Sequence, residues 1–148
     1  HPNAVVTAGK MNPRTPLECK FSVPFCIALG LSGYRLVASE FTEGTFRDAG
    51  VTGLLPLIEL EVVKDQAQYE AHLAVTVEGG EVLRSDTDIV LGHAQNPMSA
   101  GDFHDKFQGL VEPVLGAQKC RELYEALNCF EQPGTLRKIM QLLGGAGA

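Results

Sequence analysis

Between Ile58 and Asp86 the hydrophobic pattern repeats every two residues, and on both sides of that stretch it repeats every three to four. Such a switch of period confines a chain to a small sheet flanked by helices. Ile58, Leu60 and Val62 alternate with Glu59 and Glu61, the mark of a half-buried strand. Leu73, Val75 and Val77 repeat the pattern, Gly79-Gly80 signals a tight hairpin, and Glu81–Asp86 is expected to return antiparallel. Ala4–Thr7 reads as the end of a further strand, giving three to four strands in all.

Helix signals fill the rest. Asn12–Pro16 is a turn in which Thr15 caps a helix, with Pro16 at its first position and Glu18 placed for a capping box. Phe21, Phe25, Ala28 and Leu29 are spaced for one buried face, and Gly33 ends the run. Pro24 must kink this helix, or restart it with Ser22 as a second cap. Thr42–Asp48 and Val51–Leu55 read as short helical turns separated by Gly50. Ser99 caps a helix marked by Phe103, Phe107, Leu110, Val111 and Val114, with Asp102 in its first turn. Cys120, Leu123, Tyr124 and Leu127 mark a second helix, and Leu136, Ile139, Met140 and Leu143 a third. Gly144–Ala148 is a small-residue tail expected to fray. The class is α+β: a kinked N-terminal helix, a small antiparallel sheet, then three C-terminal helices.

The 148 residues suffice for a core without staples. The longest apolar run, around Val23–Leu31, is half a membrane span, and no signal-peptide order is present at the N-terminus. A chain that begins at His1 without Met reads as trimmed, tagged or fragmentary. A net charge of −6 speaks against a nucleic-acid partner. Within His1–Arg35, however, Lys10, Arg14, Lys20 and Arg35 face Glu18 alone. These bases are either scattered by chance or help hold an anion. Cys19, Cys26, Cys120 and Cys129 form no C-x-x-C pair and read as buried free thiols of a reducing cytosol. The four histidines are dispersed and make no metal site, and no glycine pattern fits a phosphate loop.

Two motifs carry a resemblance. Pro16-Leu17-Glu18-Cys19-Lys20-Phe21-Ser22-Val23-Pro24-Phe25 is followed by an Ala-containing helix. Later come Gly92-His93, Asn96-Pro97-Met98-Ser99, Asp102-Phe103 and Lys106-Phe107. In this order and spacing, over residues 4–143, they resemble the C-terminal part of the MmgE/PrpD family. That family includes 2-methylcitrate dehydratases, cis-aconitate decarboxylases and iminodisuccinate epimerases. The resemblance implies residues 1–98 as a small α/β domain, incomplete at its N-terminus. It implies residues 99–148 as helices that pack on a separate helical domain. It also implies a cytoplasmic homodimer with no cofactor, no membrane span, and catalytic histidines and lysines mainly on that helical domain.

Dehydration, decarboxylation and epimerisation of polycarboxylates need cations for the carboxylates and a group that moves a proton beside one. Lys20 is the best anion-holding candidate, against a solvated helix lysine. Ser22 and His93 are further substrate-binding candidates; their plainer roles are a helix cap and a loop-stabilising histidine. Phe25 stands where the family commonly has a tyrosine, so a hydroxyl is missing there; its plainer role is a core aromatic. His104 reads as part of a solvated face, and His72 as a strand-edge residue with no visible partner. Two functions follow. One is the C-terminal portion of a cofactor-independent lyase or isomerase on a small polycarboxylate, with these 148 residues inactive alone. The other is a non-catalytic fragment, or an oligomerisation or ligand-binding module.

Overall fold

The structure is a computed structural model and describes residues 2–144. The expectations for His1 and for the tail beyond Gly144 lie outside the described residues. Contacts divide the described chain into two units, residues 2–36 with 40–98 and residues 37–39 with 99–144.

The first unit opens with helix α1 (Pro2–Ala8), where the sequence pattern suggested a strand. Among the described residues no strand pairs with the segment, and its backbone bonds locally instead: the Gly9 N–H reaches the Val5 carbonyl at 2.8 Å. Helix α2 (Pro16–Cys19) is capped by Thr15, whose hydroxyl accepts from the Glu18 N–H at 3.2 Å. The expected capping box is only half formed. The Glu18 carboxylate takes the N–H of Arg14 at 2.6 Å rather than that of Thr15. A single kinked N-terminal helix is not what forms. The chain breaks at Lys20–Ser22 and restarts as α3 (Val23–Leu31), with Ser22 as N-cap and Pro24 in the first turn, where it lacks no needed donor. Phe21, expected in the buried face, falls in that break and is exposed. Helix α3 ends in a Schellman motif: Gly33, at φ 85°, donates to the Gly30 carbonyl, and Tyr34 to that of Leu29.

Helices α4 (Glu43–Phe46) and α5 (Ala49–Leu54) follow, capped by Thr42 and Asp48. Gly50 lies inside α5 instead of separating two turns. Cys19, Phe25, Ala28, Leu29 and Val51 form the core, with Tyr34, Phe41, Phe46, Leu54, Leu55 and Ile58 packed around them.

Among the described residues the sheet has two strands, β1 (Ala71–Thr76) and β2 (Val82–Thr87), paired antiparallel from Ala71↔Thr87 to Thr76↔Val82. Gly79 and Gly80 make the turn at φ 100° and 85°, and the Gly80 N–H reaches the Val77 carbonyl. The expected strand at Ile58–Val63 is irregular. Its alternation survives in burial only at its start, with Ile58 and Leu60 half-buried, Glu59 and Glu61 exposed, and Val62 exposed as well; among the described residues no strand pairs with it to complete a ladder.

The second unit is helical. Helix α6 (Ala100–Asn128) carries the Ser99–Asp102 capping box and is broken at Gly116, with φ 79° and ψ 159°, into segments 100–115 and 117–128. Helix α7 (Thr135–Gly144) follows. Leu123, Ala126, Ile139 and Leu142 form the core, with Phe107, Val111 and Leu115 against it. The buried face of α7 is therefore Ile139 and Leu142, while Leu136, Met140 and Leu143 are exposed. Among the described residues no helix is long and apolar enough to cross a membrane.

Candidate functional site

Helix α3 carries no polar side chain from Val23 to Leu31, so one buried face cannot absorb all of it. Phe25, Ala28 and Leu29 enter the core of the first unit. Val23, Cys26, Ile27, Gly30 and Leu31 line a cleft of about 320 Å³, together with Ala8, Lys20, Ser22, Leu36 and Leu73. Lys20 and Ser22 belong to the break before α3, and Leu73 is a half-buried residue of β1.

Ser22 is fully buried, and its hydroxyl is occupied twice. It donates to the Lys10 carbonyl at 2.5 Å and accepts from the Phe25 N–H at 3.1 Å. A hydroxyl has a single proton to give, so none remains for a ligand. Lys20 is exposed, with its ammonium nitrogen 5.9 Å from the centroid of the Phe41 ring, and among the described residues it forms no ion pair. Of the other bases of the N-terminal segment, Lys10 binds the Glu18 carboxylate at 2.6 Å, and Arg14 lies close enough to bear on it. That hydrogen bond, followed by the one from the Arg14 N–H, holds the Glu18 carboxyl below its ordinary value of 4.5.

Phe25 lies in the core against Phe41, with ring centroids 6.3 Å apart, and does not line the cleft. His93 sits in the loop after the hairpin and is also not a cleft residue. Its ring is 4.8 Å from that of Tyr69, and its Nδ1 accepts from the Gln95 N–H at 3.2 Å. The loop closes on itself through Gly92, which at φ 95° donates to the Asn96 carbonyl at 2.8 Å. The structure thus brings Lys20 and Ser22 to one cleft and places Phe25 and His93 elsewhere in the unit.

His72, which showed no partner in sequence, is paired on both sides, with Asp86 Oδ1 at 2.7 Å and Glu70 Oε1 at 3.0 Å. Its register partner across the hairpin is Asp86. His104 meets Tyr124 edge-on at 4.7 Å and is half-buried, where a solvated face was expected. The thiols also divide: Cys19 and Cys120 are buried, Cys26 is half-buried at the cleft, and Cys129, at the end of α6, is exposed. Burial, with Cys26 and Glu18 adding to it, pushes the Cys19 thiol up to about 11, and burial raises Cys26 as well. Neither is a nucleophile near neutral pH. Among the described residues no cluster of three or more His, Cys, Asp or Glu is placed to hold a metal ion.

The cleft can thus hold an anionic group at Lys20 and hydrocarbon along its walls. Its aliphatic lining had one sequence signal, the apolar character of α3 on every side; the contributions of Ala8, Leu36 and Leu73 had none. No curated protein and no solved structure matches the chain. Compared with protein families, residues 1–132 match the MmgE/PrpD C-terminal domain. That match covers 132 of 148 residues and includes both Lys20 and the loop of His93, so the chain belongs to the MmgE/PrpD family through its C-terminal domain.

Proposed function

We propose that this chain is the C-terminal portion of a cofactor-independent lyase or isomerase that acts on a small polycarboxylate in the cytosol. The observation that carries the reading is Lys20. It lies in the segment that resembles the family motif, lines the cleft, and has no carboxylate partner among the described residues. Its role is to hold one carboxylate, while the groups that move the proton come from the family's helical domain. The alternative, a module without activity of its own, is favoured for the isolated 148 residues. Phe25 is buried without a hydroxyl, and the Cys19 thiol in the core and the Cys26 thiol at the cleft are both held protonated by burial.

Self-association belongs to the same proposal. Leu136, Met140 and Leu143 on α7, and Phe103, Leu110 and Val114 on α6, are exposed apolar side chains at helical spacing.

The test combines the chain with the helical domain of a family member and follows hydration of an unsaturated tricarboxylate by loss of its ultraviolet absorbance. Turnover is expected from the combination, none from the 148 residues alone, and a loss of about tenfold or more with Lys20→Ala, the scale of one charge-assisted contact. A combination that is inactive, or indifferent to Lys20→Ala, overturns the polycarboxylate reading.

A further inference from the structure

Among the described residues that line the cleft, Lys20 carries the sole charged side chain, and Ser22 has no proton left to donate. Every other lining side chain is aliphatic, a thiol or absent: Val23, Ile27, Leu31, Leu36 and Leu73 supply most of the wall. A second carboxylate placed against that wall would find no charged or hydrogen-bonding side-chain partner among the described lining residues to offset the water it gives up. A hydrocarbon body there releases water from apolar surface instead. A volume of about 320 Å³, at roughly 30 Å³ for each water-sized group, accommodates about ten non-hydrogen atoms.

We infer that the cleft takes the aliphatic body of a monocarboxylate of about eight carbons, with its single carboxylate on Lys20. The inference rests on the reading of Lys20 as the anion-holding group of this site. It departs from that reading in the rest of the ligand: the walls of this cleft select carbon, and any additional carboxylates of a polycarboxylate must be held by residues outside it. Affinity is then set by chain length as well as charge, each buried methylene adding up to about fourfold.

The experiment is an amide NMR titration of the 148-residue chain with butyrate, octanoate, 1-octanol and tricarballylate. Octanoate is expected to bind at least tenfold more tightly than butyrate, with shifts centred on Lys20, Ile27, Leu31 and Leu73. Lys20→Gln should weaken octanoate about three- to tenfold and leave 1-octanol unchanged. Leu36→Asp, at a residue 60% exposed and therefore free of a folding role, should repel octanoate from the cleft. Shifts scattered away from these residues, equal affinity for butyrate and octanoate, or indifference to both substitutions overturns the inference. Tricarballylate binding more tightly than octanoate also overturns it and leaves the polycarboxylate reading standing. Octanoate binding as expected, beside an inactive combined enzyme, defeats the polycarboxylate reading alone.

Discussion

Ser22 shows how far one side chain can be read from sequence. Its place before Val23-Pro24 marks it as a cap, and its hydroxyl does accept the Phe25 N–H. Nothing nearby in the chain announces its second bond, to the Lys10 carbonyl twelve residues back. Ser22→Ala removes the cap and leaves that carbonyl short of a donor. The expected loss is about 1–3 kcal/mol, read as a lower urea midpoint. Glu18 is the companion case. Its folded value is lowered, chiefly by Lys10, so the stability from this pair is present above 4.5 and is lost as pH falls through the lowered value. Lys10→Met should return the Glu18 titration toward 4.5 in a carboxyl-carbon NMR titration. A Glu18 titration that does not move would show that Lys10 is not its principal partner. The same pair explains why a count of bases overstates the positive character of this segment.

At the level of elements, the hairpin turn and the break in α6 both depend on glycines at positive φ. The hairpin was legible because Gly79-Gly80 and the alternation are local signals. The clasp on it was not, because His72 and Asp86 are fourteen residues apart and meet only in the observed register. Asp86, ahead of Glu70, raises the His72 imidazole above 6.5. A raised value means that the protonated clasp contributes fully below 6.5 and is lost as pH rises through the folded value. Hairpin amide protection is expected to fall over that window, and Asp86→Asn should shift the His72 titration to lower pH. A His72 titration untouched by Asp86→Asn would dismiss the clasp. Gly116 occupies φ 79° and ψ 159°, a region open to glycine and closed to residues with a Cβ. Gly116→Ala is therefore expected to destabilise the helical unit by about 1–3 kcal/mol in thermal unfolding. A neutral result would mean that segments 100–115 and 117–128 tolerate another junction.

Across the whole molecule, what stands out is apolar surface without cover. Met140 is 61% exposed and Val114 70%, and both stand in apolar stripes at helical spacing. If a second copy covers them, as proposed, light scattering should show a mass that rises with concentration and falls with Met140→Glu. A species that stays monomeric at every concentration removes self-association from the proposal. Spacing shows that a face is apolar without showing which of two adjacent apolar faces turns inward. On α7 the core chose Ile139 and Leu142.

What the sequence determined by itself is local: the caps at Thr15, Ser22 and Ser99, the helix stop at Gly33, the Gly79-Gly80 turn and the two family motifs. Each depends on residues within one turn or one hairpin, where spacing is geometry. The tertiary structure decided the rest. It left Ile58–Val63 and Ala4–Thr7 out of the sheet, since a strand exists only beside another strand. It neutralised Lys10 and left Lys20 at the mouth of an aliphatic cleft. Those outcomes depend on which distant residues become neighbours, and periodicity along a chain carries no record of that.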